Sequence, residues 1–410
     1  MTTGSKKLVI GDRILWVVIV FLSIISLIEV YSSIGKAAYD HGWSVNATVL
    51  KHIAIVVASY CVIVAVSHVP FKWFSRLSQP GYYISLLMMI VMFGLSLFSK
   101  LSGASDGHAA FRWFNIPVIG QFQPSEIAKF ILLIYLARQI SKYRDSLNEL
   151  DTFKKLMRPV VIVSVLFFPE NFSTAAIVFM ACMVLMYLGG VNRKYLFSTL
   201  TIVVVAVVLF LLCCFTFKIE LFRSETWVNR IDEWLNSDKS AITQTNLAKI
   251  AIAIGGITGR GIGNTVQGRF LNESHTDFIY SVITEELGLL WALLIILAYV
   301  IFFIRCINIS RGCDSFFGQL ATAGLGFIIF FQALINMGVA TGYLPVTGQT
   351  LPLISYGGTS YILTSSAIGV ILAVSRKNKM DSLKKQIVDD NNETEIESKS
   401  DNKTNDESNN

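Results

Sequence analysis

Long apolar stretches recur along the whole chain, separated by short polar connections and by one long polar stretch at residues 218–280. A hydrocarbon core about 30 Å thick needs roughly 20 apolar residues per helix. The pattern therefore predicts ten transmembrane helices, at residues 12–33, 48–69, 81–100, 124–141, 157–169, 173–191, 194–217, 281–304, 315–339 and 354–375. The predicted fold class is an all-α polytopic membrane protein with one large extracytoplasmic loop between spans 7 and 8.

The overall composition supports a membrane protein. Hydrophobic residues make up 53% of the 410 residues, charged residues only 15%, and the mean hydropathy is +0.57. Soluble proteins carry about 25% charged residues. All six cysteines fall in predicted spans or in a cytoplasmic loop, so the sequence implies no disulfide framework.

Lysine and arginine are concentrated in one set of connections, most densely at 142–158. Because basic loops stay in the cytoplasm, both termini are predicted to be cytoplasmic and the 218–280 loop to lie outside. Residues 1–11 are then a cytoplasmic N-terminus, 12–376 the membrane domain, and 377–410 a cytoplasmic tail whose polar composition predicts disorder over most of its length. This bias explains the formal net charge of +6, and no nucleic-acid partner is expected.

The outside loop ends in His275, Thr276, Asp277 and Phe278, just before the next apolar stretch. An exposed carboxylate at this place is able to hold a hard cation together with phosphate oxygens, or to act as a general base. Alternatively, Asp277 is the N-cap of the helix predicted to begin near Ser281. A lone histidine does not predict a zinc site.

Glu126 and Lys129 lie at the start of the fourth predicted span, after Pro124, which suits the first turn of a helix. Their spacing places both charges on one helix face. Ionisable groups in spans usually face a wet cavity or a partner. The pair is therefore either one wall of a substrate cavity or an ion pair that fixes helix packing.

Arginines outside the membrane are further candidates for binding an anionic substrate. Arg112 lies among aromatic residues in the loop before the fourth span, and a guanidinium group binds pyrophosphate through paired hydrogen bonds. Arg260 lies within a glycine-rich run at 255–263, and Arg269 follows it. This run lacks the Lys-Ser/Thr of a nucleotide-binding loop, so a turn between short amphipathic helices is expected instead.

A second run of glycine and proline, at 341–358, falls at membrane depth. Irregular backbone is tolerated there only where it is buried in protein or lines a cavity. We therefore expect a broken or re-entrant segment before the last span.

Several long motifs, in order, resemble the SEDS family (shape, elongation, division and sporulation). They are Gln-Pro-Ser-Glu-Ile-Ala-Lys at 123–129, Ala-Ile-Gly-Gly at 253–256, His-Thr-Asp-Phe at 275–278, Glu-Glu-Leu-Gly at 285–288, and the run from Gly338 to Gly358. The resemblance covers residues 12–376. It is closer to the division member than to the elongation member.

The resemblance implies a ten-span peptidoglycan glycosyltransferase of the bacterial cytoplasmic membrane, acting at the division septum. It implies that lipid II is the substrate, and that a class B penicillin-binding protein and other division proteins are partners. Asp277 matches the family's essential aspartate, and Glu126 and Lys129 match its charged cavity pair. Arg112, Arg260, His275, Thr276, Ser355 and Tyr356 complete the expected substrate-binding set.

Two segments depart from the family pattern. The place where the family often has Gln-Pro-Asp-Leu-Gly-Thr reads Phe-Pro-Glu-Asn-Phe-Ser-Thr at 168–174, with Glu170 as the acidic residue. A Gly-Ala-Arg-Arg-Trp motif is altered at 107–113 and keeps one arginine, Arg112. The roles of the missing aspartate and arginine do not carry over.

In the expected reaction, a sugar hydroxyl attacks the anomeric carbon of the growing chain and polyprenyl pyrophosphate leaves. Asp277 is either the base or a ligand of Mg²⁺ or Mn²⁺; since a solvated aspartate has a pKa near 3.9 and is a weak base, the metal role is slightly favoured. Two rival functions remain. The intramembrane charges and broken helix also suit a lipid flippase or transporter, and a polytopic protein is also able to serve as a non-catalytic scaffold for a cell-wall synthase.

Overall fold

The computed structural model describes residues 11–40, 42, 44–101, 114–116, 120–169, 171–217, 224–235, 243–271 and 273–407. These residues form helices and one small hairpin. The elements are α1 (Arg13–Asp40), α2 (Val45–His68), α3 (Phe71–Leu101), β1 (Phe114–Ile116), β2 (Gly120–Phe122), α4 (Pro124–Lys142), α5 (Leu150–Phe167), α6 (Phe172–Leu188), α7 (Arg193–Phe217), α8 (Ser224–Leu235), α9 (Gln244–Gly255), α10 (Ile279–Leu287), α11 (Leu289–Arg311), α12 (Phe316–Ala340) and α13 (Gly358–Glu407). The strands β1 and β2 pair antiparallel.

The helices confirm a polytopic membrane protein. Among the described residues, seven segments are long and apolar enough to cross a membrane: Arg13–Gly35, Val45–His68, Phe71–Leu95, Arg193–Cys214, Leu289–Arg311, Phe316–Ala340 and Gly358–Gln386. Helices α4, α5 and α6 are shorter or more polar.

Several helix boundaries differ from the expected ones. Helix α3 begins at Phe71 rather than near residue 81 and carries Pro80 inside it. Helix α5 begins at Leu150 rather than near 157, because its amphipathic first turns keep Lys154 exposed while Phe153 is buried. Hydropathy alone does not detect such amphipathic starts.

Helix α13 differs from the expected disordered tail, because it continues across residues 377–407. No glycine or proline interrupts this stretch. An i, i+4 ion pair joins Lys377 to Asp381 at 3.7 Å, which stabilises a helix weakly.

The position of each helix follows from the face that it buries. In α12, 67% of the membrane window is buried, against 6% in α7, so α12 is central and α7 faces lipid. Small residues let neighbours approach α12 closely. A Cβ at Gly326, for example, would lie 2.6 Å from Cys306 Cβ on α11.

The single span expected at 281–304 is instead two helices, α10 and α11, separated at Gly288. Gly288 has φ +88°, and an added Cβ would lie 2.4 Å from the Gly259 nitrogen. At Gly255 an added Cβ would lie 2.0 Å from the Thr284 oxygen. The glycine-rich run therefore packs backbone against backbone beside α10, which explains it without a bound phosphate.

Residues 341–357 contain no helix and connect α12 to α13, as expected for a broken segment. Helix α8 holds this segment from one side: Trp234 Nε1 donates to the Gly342 oxygen at 3.0 Å, and Arg230 Nη1 donates to the Val346 oxygen at 3.1 Å. From α12, Gln332 Nε2 donates to the Thr350 oxygen at 3.1 Å. Hydrogen bonds from α8 and α12 thus hold residues 341–357 in place.

Candidate functional site

Asp277 lies one residue before the N-cap of α10. The N-cap residue is Phe278, and no side chain makes a capping hydrogen bond there. The alternative that Asp277 caps the following helix is therefore wrong. Its carboxylate is available for another role.

Asp277 is partly buried rather than fully exposed. Its Oδ2 lies above Gly348 of the broken segment, 3.7 Å from the position of an added Cβ. Desolvation by burial, with a smaller effect from the charge of Glu273, raises the pKa of the Asp277 carboxyl from 3.8 to about 7, while Arg230 opposes the rise. The expectation of a solvated, weakly basic aspartate was wrong because residues 341–357 fold back over it.

The structure brings together four of the predicted substrate-binding residues around Asp277. The Tyr356 amide donates to the main-chain oxygen of His275 at 2.9 Å, and Ser355 Oγ donates to the main-chain oxygen of Thr276 at 2.7 Å. Ser355 is buried and also accepts from the Leu351 amide at 2.7 Å, so its hydroxyl is engaged in scaffolding. The rings of His275 and Tyr356 remain adjacent, with centroids 5.8 Å apart.

Two side chains that sequence analysis missed contribute to this site. Arg230, on α8, acts electrostatically on Asp277 and is bonded to the broken segment. Asn336 Nδ2, on α12, donates to the main-chain carbonyl oxygen of Asp277 at 2.8 Å. An arginine on an amphipathic outside helix and an asparagine in an apolar span were the available signals, but their sequence positions gave no reason to connect them with Asp277.

Glu126 and Lys129 form a buried network between α4, α12 and α13. Lys129 Nζ donates to Glu126 Oε2 at 2.7 Å and to Gln332 Oε1 at 2.9 Å, and Ser360 Oγ donates to the same Glu126 oxygen at 2.9 Å. Lys129 is 1% exposed and Glu126 is 8% exposed. Through Gln332 this network reaches the Thr350 carbonyl, so the pair supports the broken segment from within the membrane.

Of the remaining predicted arginines, Arg260 is not part of this cluster. Arg260 is exposed on the glycine-rich turn, where its amide donates to the Glu285 oxygen at 3.0 Å. Arg112 and Glu170 lie outside the described residues. Phe168, in the segment that departs from the family pattern, packs against Trp227 of α8 with ring centroids 5.1 Å apart.

Glu285 anchors the loop that precedes the site. Its carboxylate accepts hydrogen bonds from Thr265 Oγ1 at 2.6 Å and from the amides of Val266, Gln267 and Gly268 at 2.6, 3.1 and 3.3 Å. Such charge-assisted bonds are strong. They fix the loop against α10 and leave Glu285 no capacity to serve as a base.

An apolar cavity of about 290 Å³ opens beside the site. Its walls come from α6, α7, α8, α12 and the broken segment, and include Phe172, Ile177, Leu211, Trp227, Phe331 and Ile335. Arg230, Val346 and Thr347 also line it. The cavity therefore reaches Thr347, the residue before Gly348, and continues among apolar side chains.

The donor set suits a hard cation only in part. Among the described residues, no group of three or more His, Cys, Asp or Glu side chains is placed to hold a metal ion. Asp277 and Glu273 are two oxygen donors, and the negative charge of Glu273 contributes to the raised pKa of Asp277. One or two carboxylates with substrate phosphates are a common Mg²⁺ arrangement, so these residues fit a cation that is shared with a phosphorylated substrate.

Comparison with known families shows which family the chain belongs to. The family described as "Cell cycle protein", FtsW/RodA/SpoVE, matches residues 12–380. The chain belongs to this family. The "Probable peptidoglycan glycosyltransferase FtsW" of Coxiella burnetii is 31% identical over 370 residues, covering 88% of this chain and 95% of that protein. The protein of the same name in Legionella pneumophila is 33% identical over 307 residues, 73% and 76% of the two chains.

Solved structures agree with this FtsW/RodA/SpoVE fold. A chain of a peptidoglycan synthase complex that coordinates polymerization and crosslinking aligns with a TM-score of 0.70 at 23% identity, over 90% of this chain and 98% of that chain. The rod shape determining protein RodA of Thermus thermophilus aligns with a TM-score of 0.61 at 21% identity, over 90% and 97% of the two chains.

Proposed function

We propose that this protein is a peptidoglycan glycosyltransferase that polymerises lipid II at the outer face of the cytoplasmic membrane during cell division. The observation that carries the proposal is the position of Asp277, a carboxylate with a pKa of about 7, beside Gly348 of the broken segment, whose residues Val346 and Thr347 line an apolar cavity. A substrate with a sugar head and a polyprenyl tail needs both features together.

The cavity suits the lipid part of the substrate. Its lining is apolar except for a few groups, chiefly Arg230 at the end near Asp277. A polyprenyl chain there leaves water, which is favourable by about 25 cal/mol per Å² of buried apolar surface. Its pyrophosphate then lies near the Arg230 guanidinium, which binds phosphate oxygens in pairs.

Asp277 then acts as the general base. It accepts the proton of the attacking sugar hydroxyl while the new glycosidic bond forms at the anomeric carbon of the growing chain. The bond from that carbon to the pyrophosphate oxygen breaks, and polyprenyl pyrophosphate leaves with the electron pair. A base with a pKa near the working pH transfers protons efficiently, which a carboxyl with a pKa of 3.8 would not do.

As the alternative role of Asp277, we propose that Asp277 and Glu273 hold a divalent cation, Mg²⁺ or Mn²⁺, in which case Asp277 is a ligand rather than the base. When bound, the cation would neutralise charge on the pyrophosphate leaving group. Arg112 and Arg260 remain predicted phosphate contacts, whereas Lys129 is buried and bonded to Glu126 and Gln332. His275, Thr276 and Tyr356 are proposed to contact the sugar head.

The proposed topology has ten crossings. Adding α4, α5 and α6 to the seven long apolar helices gives that number. Residues 1–11 and 377–410 are then cytoplasmic, residues 12–376 form the membrane domain, and α8, α9 and α10 belong to the outer loop. The proposed partners are a class B penicillin-binding protein and other division proteins, because a similar fold occurs in a peptidoglycan synthase complex.

Purified protein with labelled lipid II tests the proposal. We expect glycan strands on a gel with the protein alone or with its transpeptidase partner. Movement of lipid II between leaflets without polymer would indicate a flippase instead. Neither polymer nor movement, in a folded sample with its partner present, would indicate a scaffold.

A further inference from the structure

Asn336 connects two separate parts of the site. It lies on α12 and is 1% exposed. Its Nδ2 donates to the main-chain oxygen of Asp277 at 2.8 Å and to the main-chain oxygen of Gln349 at 2.7 Å. One amide group thus bonds the main chain of the proposed base and the main chain of the broken segment.

The orientation of the Asn336 amide is fixed by these two bonds. The reversed orientation would place its Oδ1 against two carbonyl oxygens, which only accept hydrogen bonds. In the observed orientation Oδ1 is buried and has no hydrogen-bond partner among the described residues. An unpaired buried acceptor is destabilising, so the two donated bonds offset an energetic cost at this position.

The two bonded carbonyls determine how the Asp277 carboxylate is aimed. The hydrogen bond to the Asp277 carbonyl fixes the main chain from which the Asp277 side chain extends. The hydrogen bond to the Gln349 carbonyl fixes Gln349, whose neighbour Gly348 lies under Asp277 Oδ2. Residues 275 and 276 are held separately, through Tyr356 and Ser355. The side chain of Asn336 bonds the Asp277 main chain directly.

We propose that Asn336 is a positioning residue for Asp277: its amide sets the distance between the Asp277 main chain and the 348–349 segment and so aims the carboxylate at the substrate. The proposal rests on the proposed role of Asp277 as base. A displacement of about 1 Å at a reacting group is able to reduce a rate about 100-fold, so loss of the amide should act on turnover more than on substrate binding.

The test is Asn336→Leu, which keeps the approximate volume and removes both donated bonds. We expect kcat for lipid II polymerisation to fall at least about tenfold while KM stays within twofold. The matched control is Trp234→Phe, which removes a hydrogen bond to the same broken segment at Gly342, away from Asp277.

The control should keep the kcat and KM of the native protein. If Asn336→Leu does not fold, Asn336→Ser retains one donor and should fold with an intermediate kcat and a native KM. A folded Asn336→Leu or Asn336→Ser protein with native kcat overturns the proposal, as does an equal loss of kcat in Trp234→Phe. Absence of polymer from the native protein would instead count against the proposed function, and a fully active Asp277→Asn protein would count against Asp277 as base.

Discussion

Lys129 and Ser360 donate hydrogen bonds to the same oxygen of Glu126, at 2.7 and 2.9 Å. This shared acceptor joins α4 to α13, and Gln332 extends the network to the broken segment. Neither charged side chain belongs to the lining of the apolar cavity. Replacing Glu126 and Lys129 singly and together can therefore separate an effect on stability from an effect on activity.

We expect Lys129→Met to destabilise the protein by about 3–5 kcal/mol, since it leaves a buried carboxylate without its partner. The double variant Glu126→Gln, Lys129→Met should recover most of the thermal stability in detergent. It should not recover lipid II polymerisation, because Gln332 loses the ammonium that orients it under Thr350. A stable double variant with native activity would show that the pair only fixes helix packing.

Asp277→Asn should abolish polymerisation, with a loss of at least about 100-fold, since an amide is neither a base nor a good cation ligand. The fold should persist because Asp277 makes no helix cap. Its folded-state pKa is raised above the unfolded value, so the native protein loses stability as the pH rises from about 4 through 7. The asparagine variant lacks this loss and should have the higher Tm at pH 8. Full activity would remove Asp277 from the mechanism.

The acid limb of the pH–rate profile should follow the charges around Asp277. Because the ionised form is the base, kcat should rise with pH through about 7 and then level off. Glu273→Gln removes a neighbouring negative charge and should move this limb to lower pH. Arg230→Gln removes a positive charge and should move it to higher pH. Shifts of the same sign in both variants would contradict the electrostatic account.

The alternative role of Asp277 as a metal ligand predicts that activity requires a divalent cation. Chelation should stop polymerisation, and added Mg²⁺ or Mn²⁺ should restore it, because Asp277 and Glu273 offer oxygen donors beside the place proposed for the pyrophosphate. Glu273→Gln should raise the cation concentration needed for half-maximal activity. Turnover that continues undiminished after exhaustive chelation would leave Asp277 the general-base role alone.

Glu285→Gln should loosen the loop before the site, because a neutral amide replaces a carboxylate that accepts four hydrogen bonds. Hydrogen exchange at the amides of 266–268 should accelerate. The matched control is Glu286→Gln, whose carboxylate binds Ser32 Oγ and the Gly263 amide instead. Equal acceleration at 266–268 in both variants would show that the effect is not specific to Glu285.

The membrane class, most of the spans and the broken segment were predictable, since each depends on local hydropathy or on glycine and proline. The resemblance placed Asp277 in the site. Its environment was not predictable, because it depends on contacts distant in sequence: Asn336 bonds residue 277 across 59 positions, and Arg230 bonds residue 346 across 116 positions. The pKa of Asp277, and with it the preference between base and metal ligand, follows from those contacts.

The Glu285 carboxylate binds mostly main-chain amides, which every residue except proline possesses. The backbone path at residues 266 and 267 therefore depends little on the side chains at these two positions. Val266 and Gln267 are free to change without altering that path, whereas proline at either position removes a donor. Evolution can thus vary the outward chemistry of these two positions while the geometry at Asp277 stays the same.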